Sequence, residues 1–179
     1  AGTLWSQAGN WANGVPQIGD AVQFPSGAAN LTITNDLPAG TSLQALSITG
    51  SGYTLNGNGI VLTSTLSSAN SNVVNLPIDV QANAVTFSGT GSVTLSGSLS
   101  GTGPIALLQL RTSFTGTGSY SGTITITCSA TCASLFLRGG SLASASVNNS
   151  ALVNGNGFLG ALTASGLVSP GDNTDGGFR

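Results

Sequence analysis

Histidine, lysine and glutamate are all missing from the 179 residues. The charged side chains are three arginines (Arg111, Arg138, Arg179) and five aspartates (Asp20, Asp36, Asp79, Asp172, Asp175), a formal net charge of −2. Without histidine, lysine or glutamate the usual general bases are absent. The many serines and threonines therefore have no evident partner to activate them as nucleophiles. Three arginines make no basic patch for nucleic acid or for anionic lipid. Arg111 and Arg138 stand too far apart in sequence to suggest an anion site. Long apolar runs are missing as well. The most continuous, Ile105–Leu110, is strand length, far short of the ~20 residues a membrane-spanning helix needs. The expectation is a chain that is not an enzyme, needs no cofactor, binds no nucleic acid and inserts no part of this segment in a membrane.

Charged residues make up 4 % of the chain, where an ordinary globular domain carries about a quarter. Yet 40 % of the residues are hydrophobic, and β-branched residues are plentiful, which is the reverse of a disordered composition. So little charge also removes the repulsion that keeps molecules apart, which favours self-association. The lack of lysine removes a common device for blunting exposed strand edges.

What remains is short β-prone pieces separated by glycine, asparagine or serine. In the first part they are Leu31–Thr34, Leu43–Ile48, Tyr53–Leu55, Ile60–Thr63, Val73–Leu76, Ala84–Phe87 and Val93–Leu95. In the last third they are Thr123–Thr127, Ser134–Leu137, Ala143–Val147, Ala151–Val153, Phe158–Ala164 and Leu167–Ser169. Apolar residues alternate with Ser and Thr, and no piece has helical period. Gly-x-Gly units recur at Gly50-Ser51-Gly52, Gly89-Thr90-Gly91, Gly116-Thr117-Gly118 and Gly155-Asn156-Gly157. No helix follows any of them, so they read as corners that need positive φ rather than as phosphate loops. Repeated short strands with small-residue corners are the sequence form of a β-solenoid. Turns of about 20–29 residues with three short strands each give roughly seven or eight turns. At ~4.8 Å per layer the body is about 35–40 Å long. Phe87, Phe114, Phe136 and Phe158 are expected inside.

Residues 1–26 differ from the rest, holding both tryptophans in WSQAGNWANGVPQIGDAVQF. They read as an N-terminal cap, with the solenoid array as 27–179, continuing or assembling beyond its end. The alternative is that Trp5 and Trp11, with Tyr53 and Tyr120, form a glycan-contacting surface. The run Ile105, Leu107, Leu108 and Leu110 is the candidate assembly contact if it is exposed.

From Phe114 onward the chain resembles the autotransporter-associated β-strand repeat of secreted bacterial surface proteins. The matching residues are Phe114-Thr115-Gly116, Tyr120, Gly122-Thr123-Ile124, Gly140-Ser141-Leu142, Val147, Ala151-Leu152, Gly155-Asn156-Gly157, Gly160-Ala161-Leu162-Thr163 and Ser169-Pro170-Gly171. The resemblance covers about a third of the chain. It implies a parallel β-helix exported to the cell surface and no single activity. With the crossover rule it also implies a right-handed coil.

Cys128 and Cys132 depart from the repeat pattern. A local disulfide pinning a loop is expected, stabilising by about 2 kcal/mol and indicating an oxidising compartment. The C-x3-C spacing without a βαβ frame argues against a redox site. Two cysteines without histidine cannot fill a zinc site. Asp172 and Asp175 form at most a weak calcium candidate; otherwise Asp20 and Asp36 read as turn residues. The expected function is an extracellular structural module: a surface passenger, a stalk or a self-assembling fibre that pairs with itself or with neighbouring repeats. The alternatives are an adhesin that binds surface glycans and a polysaccharide-degrading β-helix enzyme.

Overall fold

A computed structural model describes residues 2–127 and 133–171. After a short 3-10 turn, Ala8–Asn10, come β1 (Ala21–Phe24), β2 (Thr32–Asn35), β3 (Thr41–Ile48), β4 (Thr54–Gly57), β5 (Ile60–Ser68) and β6 (Ser71–Val74). The middle holds β7 (Ile78–Asp79), β8 (Val85–Ser88), β9 (Ser92–Leu95), β10 (Leu99–Ser100), β11 (Ile105–Leu108) and β12 (Arg111–Phe114). The last are β13 (Thr123–Thr127), β14 (Ser134–Leu137), β15 (Ser141–Asn149), β16 (Leu152–Gly155), β17 (Phe158–Ala164) and β18 (Leu167–Pro170).

All these strands pair in parallel. One sheet runs β2-β4-β6-β9-β12-β14-β16-β18, and the other β1-β3-β5-β8-β11-β13-β15-β17 with β7 and β10 attached. Strands that are neighbours in space belong to successive turns, so the chain coils into a parallel β-solenoid of about seven turns. Long strands such as β5 round a corner. Ile60 pairs with Ile78 on a third face, while Thr65 pairs with Thr86 on the second. The turns are shorter than expected. Thr54 pairs with Val73, 19 residues on, and Leu152 with Leu167, 15 residues on. Corners of very few residues make this possible, and the register shift between Leu142 and Ser146 absorbs one of the contractions.

Register stacks like on like. In one inward column Val22, Leu46, Leu66, Phe87, Leu107 and Ile126 lie directly over one another. In another, on the first sheet, Ile33, Leu55, Val74, Leu95, Phe114 and Leu137 do the same. All of these are buried. Burial of a Val, Leu, Ile or Phe side chain contributes about 1.5–3 kcal/mol, so the columns carry the core. The alternation also corrects the expectation for the phenylalanines. Leu135 and Leu137 take the inward positions of β14, which leaves Phe136 half-buried on the outer face, and Phe158 is 71 % exposed on the last turn. Ile105–Leu110 is not an exposed apolar strip either. Ile105 and Leu107 point inward, the chain turns at Gln109 with φ 60°, and Leu110 enters the core from the next face. Of the four expected assembly contacts only Leu108, 40 % exposed, is on the surface.

At the N-terminal end the pairing begins before residue 27, so the expected boundary between residues 26 and 27 does not divide two bodies. β1 already lies in register on β3, and Leu4 bridges Thr34. The amide of Trp5 donates to the Thr34 carbonyl (3.0 Å), and the amide of Thr34 donates to the Thr3 carbonyl (2.7 Å).

Corners decide which residues the sequence must repeat. Buried Asn72 accepts from the Tyr53 amide (2.8 Å) and donates to the Gly50 carbonyl (3.1 Å) and the Ser68 hydroxyl (3.0 Å). Asn35 and Asn149 tie other corners, accepting from the amides two residues on. Such side chains replace the ladder bonds that a corner interrupts. The Gly-x-Gly glycines serve a second purpose besides positive φ. Gly89 and Gly155 have φ of 131° and 136°, but Gly116 and Gly118 do not have positive φ. A Cβ on Gly118 would collide with the Leu99 carbonyl of the turn beneath, and one on Gly116 with that of Gly97. Close approach of one turn to the next is what requires glycine there.

Two outcomes follow. Gly118→Ala forces backbone apart at a corner and is expected to cost about 1–3 kcal/mol, read as a lower denaturant midpoint with an unchanged slope. Buried Tyr120 donates its phenol to the carbonyl of Gly103 (2.8 Å) or of Thr123 (3.0 Å), and burial pushes its pKa up to about 12. The neutral phenol belongs to the fold, so its stabilisation is complete below the unfolded pKa near 10. As pH rises from 10 through 12, stability should fall, and Tyr120→Phe should flatten that part of a melting-temperature profile.

Candidate functional site

The aromatic residues expected to contact glycan are mostly inside. Trp5 and Tyr120 are fully buried and Tyr53 is 2 % exposed. Trp5 packs edge-on to Trp11 (5.9 Å between rings) and tilted against Phe24 (5.5 Å), and Phe24 meets Tyr53 (5.4 Å). The Tyr53 phenol donates to the Pro25 carbonyl (2.7 Å), and burial raises its pKa. These three side chains are therefore core residues, because the apolar surface of the first turn has no turn beneath it and they cover it. Trp11 alone is only partly covered. Its indole N–H donates to the Trp5 carbonyl (2.7 Å), and cavities of about 170 Å³ and 540 Å³ border it. The smaller is lined by Phe24, Tyr53, Ile33 and Asn30 among others.

The described aspartates lie apart, each in its own turn. Asp20 accepts from the Gln17 amide (2.8 Å), and Asp79 accepts from the amide of Gln81 (2.8 Å), whose φ is 49°. Asp36 takes both the hydroxyl and the amide of Ser6, and those hydrogen bonds hold its pKa below the ordinary carboxylate value. It thereby fastens the N-terminal segment to the corner after β2. Cys128, Cys132, Asp172 and Asp175 lie outside the described residues. No group of three or more potential metal ligands occurs among the described residues.

The structure brings together two residues that sequence spacing kept apart. Arg111 opens β12 and Arg138 follows β14, on consecutive turns. Both guanidinium groups stand over the ring of Phe136, at 5.3 Å and 5.9 Å from its centre. Both arginines are exposed. Neither has an ion-pair partner among the described residues. Register explains the meeting: Arg111 lies over Ser134, two residues before Phe136 on the same outer face, and Arg138 lies two residues after it. The signal in sequence was the polar–apolar alternation around Phe136, legible only once Leu135 and Leu137 are assigned inward.

The same outer face carries ladders of polar side chains. Ser71, Ser92 and Arg111 form one column, with Ser92 donating to Ser71 (3.0 Å). Along the other edge Asn75 donates to Asn56 (2.7 Å) and Thr115 to Ser96 (3.0 Å). At the far end of the solenoid the last turn is not covered by described residues. Phe158 (71 %), Leu167 (50 %), Val168 (38 %) and Leu162 (37 %) are exposed there.

Fold and faces define a parallel β-solenoid protein. Compared with known protein families, curated proteins and solved structures, the chain matches none.

Proposed function

We propose that this chain is a non-enzymatic structural module of an exported bacterial surface protein, a stacking segment of a passenger, stalk or fibre. The observation that carries the proposal is the contrast between its two ends. The first turn is shielded by Trp5, Trp11 and the segment tied down by Asp36, which we read as a cap. The last turn exposes apolar side chains at positions that earlier turns bury: Val168 continues the column of Leu135 and Val153, and Leu162 that of Ile124 and Val147. A further parallel turn laid on β17 and β18 would bury them and pair the open strand edges.

Support also comes from the resemblance of residues 114–171 to the autotransporter-associated repeat, which places such arrays outside the cell. The near absence of charge suits a body whose stability comes from stacked columns and backbone pairing. A glycan-binding role through the tryptophans has less to stand on, since Trp5 and Tyr53 are consumed by the core.

Where the chain as given ends on this turn, it should associate through it. Electron microscopy and light scattering over a hundredfold concentration range are expected to show rods that lengthen or pair with concentration. The double variant Leu162→Lys, Leu167→Lys should abolish that association while leaving the circular dichroism spectrum unchanged. A wild-type protein that stays monomeric throughout the range would sink the stacking role of this face.

A further inference from the structure

We propose that the outer face of the first sheet is a binding track for an acidic polysaccharide, with Arg111 and Arg138 around Phe136 as its anion-reading end. Four observations carry this. The two described cations of a chain with net charge −2 are gathered on one aromatic ring. Their heads are therefore no more than about 11 Å apart, close enough for successive anionic groups of one polymer.

Both arginines are exposed and without a carboxylate partner among the described residues. Stacking on Phe136 holds each guanidinium in place and leaves its N–H fork free. An ordered fork loses less entropy when it takes a carboxylate or sulfate in bidentate fashion.

The ladders run toward the arginines. The Ser71–Ser92 column reaches Arg111 directly. The Asn56–Asn75 and Ser96–Thr115 pairs follow the other edge, where the Thr115 and Arg138 amides donate to the Leu95 and Phe114 carbonyls of successive turns. Hydroxyl and amide groups repeating at ~4.8 Å along the axis are donors and acceptors matched to a polyhydroxylated chain laid lengthwise.

The charge count selects among polyanions. Tight nucleic-acid binding at physiological salt rests on roughly 6–10 phosphate contacts, and two arginines on an acidic protein do not supply them. A sparsely charged polymer with neutral hydroxyls between its anionic groups fits both the pair of forks and the polar ladders.

The test is titration calorimetry of the whole protein with polygalacturonate at low ionic strength, with dextran and a single-stranded oligonucleotide as comparisons. Polygalacturonate should bind, weaken as sodium chloride is raised, and bind the double variant Arg111→Gln, Arg138→Gln at least tenfold less tightly. Phe136→Leu should also weaken binding, because it frees the guanidiniums from their stack. All the substituted side chains lie on the outer face, and circular dichroism would confirm that the variants fold. Failure of the wild type to bind polygalacturonate overturns the proposal. So does equal binding by the double arginine variant, equal binding of dextran, or tighter binding of the oligonucleotide. Assembly through the last turn is scored separately by light scattering, so this track and the stacking face can fail independently.

Discussion

Everything in this molecule depends on one turn lying squarely on the turn beneath. Parallel ladders satisfy the backbone only if each strand stays in register with its neighbour ~4.8 Å away. That constraint fixes the inward columns, since a slip of one residue would turn Leu55 outward and Thr54 inward. It also fixes the corners, where chain from successive turns meets almost backbone to backbone. Glycine at 116 and 118 and asparagine at 35, 72 and 149 are consequences of that approach.

Low charge belongs to the same logic. Stacked turns place identical positions directly over one another, so a charged residue repeated at one position would face its own kind at one strand spacing. Serine, threonine and asparagine can instead donate to the turn below and accept from the turn above, as Ser92 does with Ser71 and Asn75 with Asn56. The outer surface becomes a set of polar tracks, and the two arginines on the first sheet stand out because they interrupt two of them and share one phenylalanine.

The ends of a solenoid need a different solution from its middle. At the first turn aromatic bulk does the work: Trp5 and Phe24 fill the place a preceding turn would occupy, and Asp36 fastens the strand that carries Trp5. At the last described turn no comparable group covers Leu162, Leu167 and Val168. The asymmetry gives the body a closed end and a stacking end.

Much of the fold was legible in the chain itself. Strand-length apolar alternation, glycine spacing and the lack of helical period determined a β-solenoid and came close to its number of turns, because those are local properties that each short segment repeats. Only the tertiary structure decided which residues share a face. Tyr53 and Tyr120 read as surface aromatics and proved to be core residues, since each phenol finds a backbone carbonyl inside. Ile105–Leu110 read as one apolar strip and proved to be two strands meeting at a corner at Gln109. Arg111 and Arg138, 27 residues apart in the chain, became neighbours on Phe136. The physical reason is the register between turns: it depends on where each corner closes, and a shift of a single residue there exchanges inside for outside.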